Sequence, residues 1–408
     1  MDRRSFIRFA SFAGAGHVAG LHALGAGNGQ PGGSIGYKAL VGIFLFGGND
    51  SNNMLVPLNT AANGANGYTS YAAIRGPLAL PEVALLPLDA QVEGNYGLHP
   101  SLPDIQDLFN SGKAAFLANV GTLPQPLTQA QFLSGAPFPG GLFEPIHQQL
   151  EWQNATQNDT VKTGWAGRIA DRLDSVYNPS GIIPMITSVA GDTLFCDGAT
   201  TSPLVLDPSN LPTGAVVNKY RPSKPLQTQF PANNALAAQL KVIAEIIQVR
   251  QALGMERQIF FAALNGFDTH SEQGGTQAEL LGLLSQALTA FYEATEEMGV
   301  ADEVTSFTMS EYSRSFEPNA SGGSNHGWGG HHIIAGGAVD GGKIYGAYPR
   351  LVLGGPNDCG STGQWIPTTS VSQYGATLAS WFGLPASGLA TIFPQIGNFE
   401  TQNLGFLG

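Results

Sequence analysis

Four short apolar runs, three of them followed by a cluster of polar residues, leave the chain few architectures to adopt. The first, Ala39–Phe46, reads ALVGIFLF and stops at Gly47-Gly48-Asn49-Asp50; the others are Ala114–Val120, Ile259–Leu264 and Val304–Met309. Continuous runs of this length, bounded by polar or glycine-rich ground, suit strands buried on both faces, as in a parallel sheet. Between them, Asn234–Leu253 places Leu236, Leu240, Ile243 and Ile247 close to a 3.6-residue period. Gln277–Met298 does the same through Leu280, Leu281, Leu284, Leu288 and Phe291, so both segments are predicted helices. Strands alternating with helices predict an α/β fold, a three-layer sandwich around a mostly parallel sheet. Leu123–Gly141 and Cys196–Pro231 are low in charge, rich in Pro and Gly, and too long for ordinary connections. They are expected to be long loop insertions over the carboxyl edge of the sheet. No repeat or linker divides the chain, which predicts a single domain over 30–408.

The N-terminus is a separate piece. Arg3-Arg4-Ser5-Phe6-Ile7 leads into a Gly/Ala-rich, mildly apolar stretch to about Ala26, the layout of an export signal. The adjacent arginines mark the twin-arginine (Tat) version, read by a receptor. Residues 1–29 are therefore expected to be a signal peptide, the Tat translocase its partner during export, and the mature chain periplasmic or secreted. No later window holds the ~18 to 20 apolar residues of a spanning helix. A net charge of −12 gives no footprint for nucleic acid or an anionic membrane. Cys196 and Cys359, the only cysteines, lack the spacing of a redox or zinc motif, and nothing in the sequence brings them together.

Polar clusters follow the apolar runs directly. Asp50-Ser51-Asn52-Asn53 follows the first, Phe267-Asp268-Thr269-His270 the third, and Ser310-Glu311-Tyr312-Ser313-Arg314 the fourth. A glycine-rich stretch, predicted as a loop, then carries Asn325-His326-Gly327-Trp328-Gly329-Gly330-His331-His332. Open parallel sheets bind ligands at the carboxyl ends of their strands, so these groups would meet on one edge. Mixed carboxylate and imidazole donors suit zinc, iron or manganese better than calcium. The competing account is a polar network that satisfies loop backbone, with Asp50 no more than a helix cap. Arg314 pairs with Glu311 or faces an anion; Trp152, Trp165 and Trp328 line the site or simply pack.

The motifs Phe46-Gly47-Gly48-Asn49-Asp50, Asn53-Met54-Leu55-Val56-Pro57, Leu98-His99-Pro100 and Thr163-Gly164-Trp165-Ala166-Gly167-Arg168 resemble domain-of-unknown-function family 1501. So, in the same order, do Phe267–His270, Ser310–Arg314 and His326–His331. That family is Tat-exported and belongs to the alkaline phosphatase and sulfatase superfamily. The resemblance implies an alkaline-phosphatase-like sandwich and a metal-dependent hydrolase of phosphate or sulfate esters acting outside the cytoplasm. It implies a divalent cation (zinc, manganese or calcium) held by Asp50, Asp268, His270 and His326, with Glu311 and Arg314 as a ligand or an orienting pair. Two departures stand out. Asn325 occupies a ligand position where relatives carry Asp, and Glu144 a catalytic position where they carry Ser, followed by Pro145 in place of His. Ser51, Thr128 and Ser134 remain as substitute nucleophiles. The alternative is a scaffold that has lost its chemistry and its metal, and serves as an extracytoplasmic binding or assembly protein for an envelope component.

Overall fold

The computed structural model describes residues 36–89, 95–158, 160–207, 209 and 224–408; the expected signal peptide lies outside them. The main sheet is built from β1 (Lys38–Phe46), β2 (Ala114–Gly121), β3 (Ile186–Ser188), β4 (Leu204–Val205), β5 (Arg257–Asn265) and β6 (Val304–Met309). A hairpin, β7 (Arg314–Pro318) and β8 (Ser324–His326), stands apart; β9 (Gly330–Gly336), β10 (Ile344–Gly346) and β11 (Thr369–Ser370) rejoin the sheet. The order is β10-β2-β9-β6-β1-β5-β3-β4, with β11 also on β2. All pairings are parallel except the two made by β9, which runs backwards between β2 and β6. The four predicted runs thus share a direction and deliver their carboxyl ends to one edge.

Helices cover both faces, as the alternation along β1 requires. Val41, Ile43 and Leu45 pack with helices Pro103–Asn110 (α3), Ala235–Gln248 (α7) and Gln273–Glu297 (α8). Leu40 and Phe44 pack on the other side with helices Pro145–Asn154 (α5), Trp165–Tyr177 (α6), Val371–Phe382 (α9) and Ala386–Ile392 (α10). The remaining α-helices among the described residues are Ser51–Met54 (α1), Tyr68–Arg75 (α2) and Gln129–Leu133 (α4). The expected insertions behave differently from one another. Leu123–Gly141 contains α4 and packs through Phe132 on Trp328, beyond the end of β2. Cys196–Pro231, over its described part, contributes β4 at the edge of the sheet. Both cysteines are buried and free, and burial pushes the Cys359 thiol up to about 12.

The glycine-rich stretch expected as a loop is partly strand. Gly330–Gly336 is β9, because Ile333, Ile334 and Ala335 need the sheet to be covered, and it takes His331 and His332 into the interior with it. Desolvation lowers both imidazoles to about 3, so both are neutral in the fold. His331 Nδ1 accepts the Asn119 N–H at 3.1 Å, and the His332 ring lies 4.8 Å from Trp152. A folded-state value below the unfolded 6.5 means that the unfolded chain binds protons first. Stability from this source is complete above 6.5 and is lost as pH falls towards 3, by about 1.4 kcal/mol per pH unit per histidine. The wild-type denaturation midpoint should therefore drop between pH 7 and pH 5 more steeply than that of a His331→Phe/His332→Phe variant. Equal slopes would show that the two rings titrate alike in both states.

Candidate metal centre

The register of the sheet brings the polar clusters together. Phe46 pairs with Asn265 and Phe44 with Met309, so residues 47–50, 266–270 and 310–314 leave the sheet side by side. Gly47 sits at φ +111°, and a Cβ there would lie 2.2 Å from the Asp268 backbone nitrogen. Only glycine lets the two chain ends approach this closely. In the hairpin, Arg314 pairs directly across from His326, which brings the imidazole over the Asp268–His270 turn.

Three donor atoms converge there. His270 Nε2 is 3.0 Å from Asp268 Oδ1, His326 Nε2 is 3.4 Å from the same oxygen, and the two Nε2 atoms are 3.1 Å apart. A divalent ion with bonds of about 2.0 to 2.1 Å, at tetrahedral or octahedral angles, holds neighbouring donors about 2.9 to 3.4 Å apart. The spacing and the two-imidazole, one-carboxylate chemistry both fit such an ion. They leave further coordination positions open, as catalytic sites do. The Asp268 and His270 side chains are about half exposed, so the centre faces solvent.

The surroundings hold these groups in place. His326 Nδ1 donates to the Phe143 carbonyl at 2.8 Å, which leaves Nε2 unprotonated and aimed at the other donors. Phe143 adopts φ +72°, unusual for a non-glycine residue, and so the supporting loop is strained at the point of contact. Tyr312 stacks on the His326 ring at 4.5 Å. The fully buried Arg314 donates to Asp268 Oδ1 at 2.8 Å, to the Gly47 carbonyl at 3.2 Å and to the Ser324 carbonyl. Burial raises the Asp268 carboxyl, but the Arg314 hydrogen bond and charge outweigh it and hold the group below the usual range. Desolvation and the Arg314 charge together lower His270.

The other expected ligands lie elsewhere. Asp50 is buried in an ion pair with Arg75 of α2; its carboxylate also accepts from Gln273 and from the Asn52 N–H, as a cap of α1. Asp50 is not one of the three converging donors. Glu311 turns back to the Gly47 N–H at 2.9 Å and to Gln149 at 2.8 Å rather than to Arg314. Burial raises its carboxyl above the ordinary value. Alternation along β8 puts Asn325 on the face opposite His326. Glu144 precedes the first residue of α5 without a side-chain capping bond, and pairs with His147 at 2.9 Å. Ser51 Oγ is buried between Ser313 Oγ and the His331 N–H. Thr128 caps α4, and Ser134 donates to the Gln131 carbonyl. Trp152, Trp165 and Trp328 are buried packing residues. Phe143 and Tyr312 were missed as site residues; a backbone carbonyl and a ring contact leave no trace in a ligand motif.

Fold and centre together define a three-layer α/β protein with a two-histidine, one-carboxylate cluster at the carboxyl edge of its sheet. The family model described as "Protein of unknown function (DUF1501)" matches residues 222–354, which carry all three donors and Arg314. No curated protein matches the chain. Among solved structures, the chain is similar to the lipoteichoic acid synthase LtaP from Listeria monocytogenes. The two are 10% identical over 82% of this chain and 76% of that one, with a TM-score of 0.36. It is similar to the C-terminal periplasmic domain of EcEptC from Escherichia coli (8% identical, 87% and 84% covered, TM-score 0.40). A protein in the alkaline phosphatase superfamily from Vibrio parahaemolyticus is also similar (10%, 86% and 67%, TM-score 0.37). At these values the reading of the site rests on its own geometry.

Proposed function

We propose that the chain is an exported, metal-dependent hydrolase of phosphate or sulfate esters, with one divalent ion held by Asp268, His270 and His326. The observation that carries this reading is the triangle of donor atoms with edges of 3.0 to 3.4 Å on an open face. An ion held there supplies Lewis acidity towards an ester oxygen and acidifies water. The protein's own part is positioning. Arg314 fixes Asp268, and the Phe143 carbonyl fixes the tautomer of His326. The charge balance favours an anionic substrate: Asp268 and Arg314 cancel, and an imidazole that ligates an ion carries no net charge, so a bound dication leaves the centre electropositive. Zinc matches the nitrogen donors, and manganese accepts a mixed imidazole and carboxylate set; calcium, which takes oxygen ligands, does not match it.

The placement of hydroxyls favours slow chemistry. Ser51, Thr128 and Ser134 are engaged elsewhere, and Glu144 is held by His147. Purified protein should bind one zinc or manganese ion per chain by elemental analysis and titration, and should show little turnover of small aryl phosphates or sulfates. A metal-free protein that takes up no ion at micromolar concentration would end the hydrolase reading in favour of a binding or assembly role. Brisk, chelator-sensitive turnover would show instead that an efficient nucleophile is in place.

Export by the Tat route completes the proposal. It is supported by Arg3-Arg4 and by the Gly/Ala-rich, mildly apolar stretch that follows them. Arg3→Lys/Arg4→Lys keeps the charge but should leave the precursor in the cytoplasm on fractionation. Normal secretion of that variant would rule out the receptor-read signal.

A further inference from the structure

Seven large apolar side chains are strongly exposed among the described residues, and three of them, Leu133 (70%), Phe138 (45%) and Ile146 (71%), fall within fourteen consecutive positions. That segment is also the one that touches the metal centre. Phe143 lends its carbonyl to His326, and Phe132 packs 4.9 Å from Phe138 and 6.0 Å from Trp328, two residues beyond His326. From Leu123 to Gln149 the chain carries no Lys or Arg and one acid, Glu144, which His147 engages. A cleft of about 440 Å³, lined by Pro126, Leu127, Thr128, Gln131, Pro367 and Thr368, opens beside α4, the helix that ends at Leu133. A segment with exposed apolar side chains and a single acid, beside a cleft, is therefore tied through Phe143 and the Phe132–Trp328 contact to a centre that favours anions.

We infer that this segment forms a shelf that seats the apolar tail of an anionic amphiphile whose phosphate or sulfate head sits at the Asp268–His270–His326 centre. The inference rests on the metal-site reading and adds the substrate class to it. The occupant is a single amphiphile rather than a membrane surface, since a chain of net charge −12 is repelled by an anionic bilayer. Each methylene buried on the shelf strengthens binding several-fold, so a few of them suffice for a clear preference.

The test compares decyl phosphate, kept below its micelle concentration, with ethyl phosphate on the zinc-loaded full chain by titration calorimetry. Decyl phosphate should bind at least about tenfold more tightly. Leu133→Ser/Phe138→Ser/Ile146→Ser should bring the two ligands to within about twofold, by weakening decyl phosphate alone. All three side chains are exposed, so the fold should survive; a circular dichroism spectrum checks this. Equal, zinc-dependent binding of both ligands would overturn the tail site and leave the metal centre standing. A preference that persists in the triple variant would also overturn it, because the tail would then lie elsewhere. Zinc-independent adsorption to vesicles, or a dimer that the triple variant abolishes, would assign the shelf to a membrane or a second copy instead. Absence of zinc-dependent binding of either phosphate would overturn the centre and the tail site together.

Discussion

Replacing Arg75 by Met is expected to destabilise the fold by about 3 to 5 kcal/mol, read as a large fall in the denaturant midpoint. The side chain is fully buried, and besides the Asp50 carboxylate it donates to Asn53 Oδ1 at 3.1 Å and to the Ser315 and Phe316 carbonyls at 3.2 and 2.9 Å. Removing one partner of a buried pair leaves a charge without compensation, which costs far more than the pair itself contributes. Arg75→Met with Asp50→Asn should therefore recover a substantial part of the loss. A single variant that costs under about 1 kcal/mol would mean that water reaches the pair.

Zinc affinity should fall more than about 100-fold in His326→Ala, whereas Asp50→Asn, measured where it remains folded, should bind zinc within a few-fold of wild type. Loss of an orienting partner typically costs 10- to 100-fold, and His326 supplies a donor atom directly. The contrast separates two carboxylates that look alike in the sequence. Asp268 lies 3.0 and 3.4 Å from imidazole nitrogens, while Asp50 is held by Arg75. Equal loss in both variants would place Asp50 in the metal's ligand set after all.

Much of the fold was legible because burial on both faces leaves unbroken apolar runs, and all four became strands with a common direction. The Asp268-Thr269-His270 turn was legible for a related reason: it falls just past a strand end, where a parallel sheet presents its ligands; His326 was legible as a histidine in the glycine-rich stretch, although it ends a hairpin strand and not one of the parallel sheet. Asp50 met the same criterion and turned out differently. Its partner sits 25 residues on, at the end of a short helix whose sequence gives no sign of an inward-pointing guanidinium. Glu311 also follows a strand, but it reaches back to the Gly47 N–H, a contact that exists only once β1 and β6 are paired. His331 and His332 lie in the glycine-rich stretch expected as a loop. The Ile333-Ile334-Ala335 run carried the stronger signal, and it commits them to the sheet.

The pairing of Arg314 with Asp268 bears on the order of events in the cell. The fixed charges of the centre already cancel, and its residues come from strand ends and a hairpin far apart in the chain, so the cluster forms only when the sheet is complete. Folding need not wait for an ion, and an unfolded chain offers none of the cluster's geometry. On the proposed reading, metallation would wait until the protein is finished, wherever that occurs. A precursor that crosses a membrane already folded could travel empty and take its ion from the compartment in which it works.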